Sequence, residues 1–408
     1  MNPLYVGIDV SSKSNVVYLM LPNGDKLSNF ELKNSQDGSS QLVKRILSAM
    51  TFHSLDTVLI GLEATSVYGD NLVYFLREDA TLDPFNRKIH VLNPKQVNKF
   101  KESYNDLPKN DYVDSFVIAD CLRFGRINKE VYLGDYRYLA LKNLTRARYY
   151  AVCNLVKEKQ RFMNVLFKKY STMTQEKVFS DTFSTTALAV YEEFESAEAL
   201  ANMDLQALTD FIMEKGKNRF PDPDSVAKAI QKAARSSYRL PKTVNDSVNQ
   251  VLSISITSMK ALESQIKEFD KAIAAQMELL PNVLTSIPGI GPVFSAGIMA
   301  EIGDINRFGN HAQLAKYAGL AWKQHQSGGF EAQTTRLINS GNRFLKYYLC
   351  EAAFSLVRCD KEYSDFYHLK YKEVNRYQHK RALALTARKF VRLVFVLLKD
   401  NRLYRPAK

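Results

Sequence analysis

The sequence predicts an α/β domain at the N-terminal end followed by a mainly helical remainder, on three observations. Short apolar, β-branched runs at residues 4–10, 16–20, 57–62 and 89–92 alternate with helical patterns before residue 135 and not after it. From Leu252 to Leu280 apolar residues recur in steps of three and four, the spacing of a helical seam. Beyond residue 285 two helical patterns flank Ile287–Pro292, and after the segment Gln326-Ser327-Gly328-Gly329 helices rich in Tyr, Lys and Arg run to the end. The expected divisions are residues 1–135, 136–284 and 285–408, and 408 residues exceed what one core usually holds.

In order, LYVGIDV (residues 4–10) is a strand that carries Asp9, Val16–Met20 follow, and the turn Leu21-Pro22-Asn23-Gly24 after them suggests a hairpin. Thr57–Leu62 has the composition of a strand covered on both faces, with Glu63 at its end, and Ile89–Leu92 is another such run. Helical patterns lie near residues 40–50 and 70–78, Pro94 suits the first position of a helix, and DYVDSFVIADCLRF from Asp111 reads as amphipathic. Tyr138–Lys169 is a basic helix. The seam of Ile256, Met259, Leu262, Ile266, Phe269, Ile273, Met277 and Leu280 fits either a hairpin within one chain or a dimer coiled coil. Residues 170–245, with Pro221, Pro223 and Pro241, read as an inserted helical segment.

The formal net charge of +13 points to a polyanionic partner, nucleic acid or an anionic surface. A membrane-spanning role is not expected: the most apolar late segment, Phe390–Leu398, is flanked by Arg388, Lys389 and Lys399. Asp9 interrupts the apolar start with no basic residue before it, and the four cysteines form neither a CxxC pair nor zinc-finger spacing. A cytoplasmic protein is the expectation.

Acids at strand ends and on an adjoining helix occupy the crevice where α/β proteins do their chemistry. Asp9 and Glu63 are at strand ends, and Asp111 and Asp114, three apart, share one helix face. If they converge, each pair about 4 Å apart repels by roughly 4 kcal/mol at an effective dielectric near 20. Divalent cations relieve that, and an oxygen-only donor set favours Mg2+ or Mn2+. Taken singly, a strand-end Asp is as readily a turn former, and two Asp three apart a solvated face. Asp120 lies off that face and is expected to be structural.

Three segments in order, GIDVSSK (Gly7–Lys13), GLEATSVYGDNL (Gly61–Leu72) and KNDYVDSFVIAD (Lys109–Asp120), resemble the RuvC-like "DEDD" domain of the Piv-like transposases, the IS-one-ten family of bacterial insertion sequences. The resemblance implies an RNase H fold and a metal tetrad of Asp9, Glu63, Asp111 and Asp114. The family usually has Thr where this chain has Asn110, and Ala where it has Ser115. Downstream, TSIPGIGPVFSAGIMAEIGDINRF, LAKYAGLAWKQHQSGG and INSGNRFLKYYL are similar to the domain that closes the family's members. On that match Ser327 is the nucleophile; from composition alone it is one Ser among many beside Gly, a turn residue.

Family membership implies donor and target DNA as partners, a non-coding guide (bridge) RNA, and a homo-oligomer, dimer or tetramer. Gly289 and Gly291 in Pro288-Gly289-Ile290-Gly291 resemble the turn of a helix-hairpin-helix, whose amides can hold a phosphate, and equally a plain tight turn. Arg336 and Arg343 lie near Ser327 in sequence, and Lys380, Arg381 and Arg388 belong to a basic stretch interleaved with Tyr367, Tyr371 and Tyr377 that suits nucleic acid. Two other readings stand beside strand exchange: a RuvC-like metal-dependent nuclease in which water attacks, and a catalytically inactive nucleic-acid-binding protein. A tyrosine recombinase is excluded, because no His is followed three positions later by Arg.

Overall fold

β1 (Pro3–Val10) is the middle strand of a five-stranded mixed sheet, between an antiparallel neighbour, β2 (Ser14–Met20), and a parallel one, β4 (Thr57–Glu63). β3 (Lys26–Lys33) lies antiparallel outside β2, and β5 (Lys88–Leu92) parallel outside β4, giving the order β3-β2-β1-β4-β5. The computed structural model describes residues 2–64, 67–104, 107–125, 136–176, 178–323, 326–327, 330–331 and 336–406, with the backbone alone at 326–327 and 330–331. It divides into two compact units, Met1–Leu133 and Gly134–Lys408.

In the first unit, Gly24 (φ 94°) donates its amide to Leu21 and closes the β2–β3 turn that the Pro22-Asn23-Gly24 run signals. α1 (Gln36–Phe52) starts where the Ser35 hydroxyl accepts from the Gly38 amide, and α2 is Asp70–Glu78. Leu42, Ile46 and Met50 of α1 pack on Leu4, Val6 and Ile8 of β1 and on Val58 and Ile60 of β4. α3 (Pro94–Lys101) and α4 (Asp111–Arg123) are capped by the side chains of Asn93 and Asn110. α4 meets Gly7, which alternation along the strand places on the opposite face from Val6 and Ile8.

Among the described residues the second unit is helical apart from short ribbon strands. Two long helices, α5 (Tyr136–Lys169) and α11 (Lys242–Met277), run antiparallel along each other: Arg148 pairs with Asp270, Lys159 with Glu263 at 3.3 Å, and the Ser255 hydroxyl donates to Glu158. The seam on α11 is thus met within the chain. Its ends are most deeply packed, with Ile256 and Met259 in one core and Ile273 and Met277 in another, while Leu262, Ile266 and Phe269 are partly exposed. Between the long helices, α6 (Ser171–Glu176), α7 (Thr185–Glu193), α8 (Ala197–Asn202), α9 (Leu205–Gly216) and α10 (Pro223–Ser236) gather around Tyr170, Tyr191, Ile230 and Leu252.

After α11 come α12 (Pro292–Ile302), α13 (His311–Tyr317), the short strands β6 (Gln326–Ser327) and β7 (Phe330–Glu331), then α14 (Arg343–Cys359), α15 (Lys361–Lys372) and α16 (Gln378–Asp400). The helices among these share a core of Leu314, Leu345, Leu349, Phe390 and Val394 that Leu141 of α5 joins. Among the described residues no helix is long and apolar enough to cross a membrane.

One buried charge in this unit has a measurable signature. The Lys169 ammonium donates to the Tyr191 carbonyl at 3.0 Å, and burial pulls its pKa down from 10.5 to about 8. The unfolded chain therefore binds a proton there that the folded chain has released between pH 8 and 10.5, so stability must rise with pH across that window. Below pH 8 the cost is present in full, about 3 kcal/mol at one pH unit per 1.36 kcal/mol. Denaturant unfolding of Lys169→Met is expected to show a more stable protein at pH 7, with the gap to wild type closing toward pH 10.5; a gap independent of pH would refute it.

Candidate functional site

α4 lies directly on the sheet because two strands offer it bare backbone. A Cβ added to Gly7 would stand 2.0 Å from the Ser115 carbonyl oxygen and 2.5 Å from the Ala119 nitrogen. One added to Gly61, its partner in the β1–β4 register, would meet Leu122 at 2.9 Å and Ile118 at 3.1 Å. The first turn of α4 is set by Asn110, whose side chain accepts from the Val113 amide at 2.9 Å. Asn is as good an N-cap as Thr, so this departure from the family pattern keeps the capping function. Ser115 is wholly buried, and its hydroxyl returns to the Tyr112 carbonyl at 3.0 Å.

This packing brings Asp111 and Asp114 to the end of β1. Carboxylate oxygens of Asp9, Asp111 and Asp114 all lie within 4.8 Å of one another. Glu63 ends the neighbouring parallel strand, next to Asp9 in the register. Burial, then the charges of Asp111 and Asp114, push the Asp9 carboxyl up to about 6. Burial, then Asp9 and Asp114, also raise Glu63, so the fourth acid feels the same cluster. Sequence reasoning missed Lys101: from the end of α3 its ammonium reaches Asp114 at 2.5 Å and lowers both Asp9 and Glu63. A lone Lys in a basic chain carries no signal of such a role. Three carboxylates in reach of one point, all oxygen donors, fit a hard divalent cation. Asp120 faces elsewhere, held by the Arg123 Nε at 2.7 Å and the Tyr104 hydroxyl, as its place off the acidic face implies.

Ser327 lies in the second unit, in β6, which pairs antiparallel with β7 through the register Ser327–Phe330. Ser327 therefore stands in one strand of a two-stranded ribbon, and Gly328 and Gly329 lie outside the described residues. Farther down, Lys323 donates its amide to Arg336 O and Ile338 to Ala321 O, both at 2.9 Å.

Comparison with known proteins agrees with this arrangement. Residues 6–170 match a profile described as a transposase, the DEDD type of IS110, and residues 282–368 match one described as the transposase of the IS116/IS110/IS902 family. The chain belongs to the IS110 family of transposases. It is 27% identical over 324 residues, 77% of each chain, to an uncharacterized 44.8 kDa protein of insertion element IS116 from Streptomyces clavuligerus. Over 410 residues it is 23% identical to a 42 kDa protein of element IS900 from Mycobacterium paratuberculosis, covering 99% of this chain and 98% of that one. A transposase of element IS1111A from Coxiella burnetii is 30% identical over 39% of this chain and 44% of its own. The four acids fall in the first matched span of this IS110-family chain and Ser327 in the second; residues 171–281 lie in neither.

The other residues that the sequence singles out have mixed surroundings. Gly289 (φ 79°) packs against α14, where an added Cβ would meet Ser355 and Cys359 at 2.8 Å, and its carbonyl accepts from the Ser355 hydroxyl. Gly291 opens α12 with nothing within 4 Å of an added Cβ, but only a three-residue 3-10 turn, Leu284–Ser286, precedes it in place of a full first helix. Arg336 and Arg343 are exposed, and the Arg343 guanidinium donates to the Tyr150 hydroxyl and covers the Phe344 ring at 4.8 Å. Lys380 is exposed, whereas Arg381 is held by Glu373 at 2.8 Å. Arg388 lies 3.4 Å from His311 Nδ1, and burial and Arg392 lower its pKa.

The glycine contact yields a direct test. Gly7→Ala must move α4 against its own backbone, at a cost of about 1–3 kcal/mol for overpacking. Calorimetric titration with Mn2+ is expected to show weaker binding as Asp111 and Asp114 shift from Asp9, while Gly291→Ala, far from the acids in sequence and with open space at its Cβ, leaves Mn2+ binding unchanged. Unaltered Mn2+ affinity in Gly7→Ala would show that the acids do not depend on this contact.

Proposed function

We propose that this transposase cuts and rejoins DNA through a covalent Ser327–DNA intermediate, with Asp9, Glu63, Asp111 and Asp114 holding Mg2+ or Mn2+ at the scissile phosphate. The observation that carries the reading is the convergence of Asp9, Asp111 and Asp114 in a family member whose second matched span contains Ser327. The Ser327 oxygen attacks phosphorus and gives up its proton; one P–O bond to deoxyribose breaks, and that oxygen takes a proton and leaves as a hydroxyl. Attack by the hydroxyl of a second strand end reverses these changes, frees the serine and reseals the backbone. A bound divalent cation supplies positive charge for the phosphate oxygens. The acids orient it, and Lys101 holds Asp114 in place.

In this reading residues 1–135 are a RuvC-like, RNase H-fold metal domain, 136–284 a helical linker with a coiled-coil region, and 285–408 the serine-bearing domain. The mixed sheet with acids at the carboxyl ends of two adjacent parallel strands supports the first assignment. Gly289, Gly291, Arg336, Arg343, Lys380, Arg381 and Arg388 contact donor and target DNA or a guide (bridge) RNA, in keeping with the net charge of +13. The protein works as a dimer or tetramer in the cytoplasm, on the nucleoid.

A water-using nuclease is the second reading, because the acid cluster is complete within the first unit. Incubation of the purified protein with DNA bearing its element's end, then denaturation in detergent, separates the two. Strand exchange requires a covalent adduct that Ser327→Ala abolishes while DNA is still retained. Cleavage that survives Ser327→Ala and disappears in Asp9→Asn would establish the nuclease. Sequencing the nucleic acid that co-purifies tests the guide: without a discrete RNA, guidance is wrong.

A further inference from the structure

The ribbon that carries Ser327 is anchored at its base by a buried charge, and nothing in the proposed reaction accounts for it. The Glu301 side chain on α12 is fully buried and accepts three hydrogen bonds: Arg146 Nε at 2.6 Å, a second Arg146 nitrogen at 2.9 Å and Asn342 Nδ2 at 2.6 Å. Asn342 works in several directions at once. Its Oδ1 accepts from the amides of Phe344 and Leu345 and so starts α14, its Nδ2 also reaches the Tyr317 hydroxyl at 3.3 Å, and its own amide donates to the Tyr317 carbonyl at 2.7 Å. Tyr317 ends α13 and Asn342 caps α14, so the network joins the chain just before the segment leading to β6 to the chain just after the segment leading from β7. Between them Gly319 (φ 72°) and Gly341 (φ 127°) touch so closely that a Cβ on Gly341 would lie 2.5 Å from the Gly319 nitrogen.

Stability alone does not explain this construction. Taking the Glu301 carboxylate fully out of water is costly even beside the half-buried Arg146 guanidinium, and an apolar pair of similar volume is often as stable. A fully hydrogen-bonded buried group does impose one geometry on what it holds. Here it ties the two segments that flank the ribbon, which are bonded again from Ile338 to Ala321 and from Lys323, four residues before Ser327, to Arg336. Arg146 belongs to α5, so the root is also fixed to the longest helical pair of the unit, with the guanidinium 4.4 Å over the Phe344 ring.

We infer that Glu301, Arg146 and Asn342 are positioning residues that set the placement of the Ser327 ribbon for attack on DNA. This rests on Ser327 being the nucleophile. Asn342→Ser keeps a good N-cap for α14 but removes the amide donor to Glu301. The pair Arg146→Met with Glu301→Gln removes both charges together, so that no buried charge is left alone. Full-length variants are compared with wild type in detergent-stable adduct formation at varied concentrations of DNA bearing the element's end, together with thermal unfolding. The expected result is an adduct rate at saturating DNA about 100-fold lower, the scale of a 1 Å misplacement, with the half-saturating DNA concentration and the melting temperature near wild type. A wild-type rate in folded Asn342→Ser overturns the inference. So does a rise in half-saturating DNA at unchanged maximal rate, which would make the network part of binding. If the double variant does not fold, Asn342→Ser decides alone. Ser327→Ala, run in parallel, distinguishes the failures: an adduct that persists in it disproves the nucleophile itself.

Discussion

Contact between α4 and the bare backbone of β1 at Gly7 is the constraint on which the acidic site depends. Two of the three converging carboxylates are on the helix and the third is on the strand two residues beyond that glycine. Any side chain at Gly7 would drive the helix from the sheet, because what it meets is the backbone of Ser115 and Ala119 rather than flexible side-chain ends. The sheet does the remaining work. β1 and β4 are parallel, so their carboxyl ends lie at one edge and present Asp9 and Glu63 side by side. Asn110 fixes the first turn of the helix, and with it the face shared by Asp111 and Asp114.

Such a site is at odds with itself electrostatically. The raised pKa of Asp9 records the strain of placing acids together in a partly buried corner, and Lys101 answers only part of it. A phosphate brought to the same corner adds further negative charge, which a cation must offset for the two to meet. In the second unit the buried acid Glu301 is instead fully answered, by Arg146 and Asn342. One cluster is left needing positive charge and the other needs none, which is the difference between a site built to take a ligand and one built to hold a shape.

Much of the first unit was legible because its signals are local. The hairpin turn at Pro22-Asn23-Gly24, the apolar run ending in Glu63 and the three-residue spacing of Asp111 and Asp114 are each read within a few residues. The helical remainder was legible as helix, but the partner of the α11 seam was not, since a three–four repeat is satisfied equally by another helix of the same chain or by a second copy. Lys101, Arg146 and Glu301 were invisible for a related reason: their roles come from partners 13, 155 and 41 residues away. Ser327 was singled out by resemblance, and no property of the residue itself distinguishes it from the other serines.

Where each group is held bears on the proposed reaction. The acids are organised wholly by contacts inside the first unit and the serine ribbon wholly by contacts inside the second. The carboxylates are fixed by a helix–strand contact, and the residues flanking the serine ribbon by the Glu301 network. The proposed reaction needs a nucleophile and a cation at one phosphate, and holding each group in place beforehand lowers the orientational part of that barrier. The buried carboxylate of Glu301 is thus best understood as removing orientational freedom before DNA arrives.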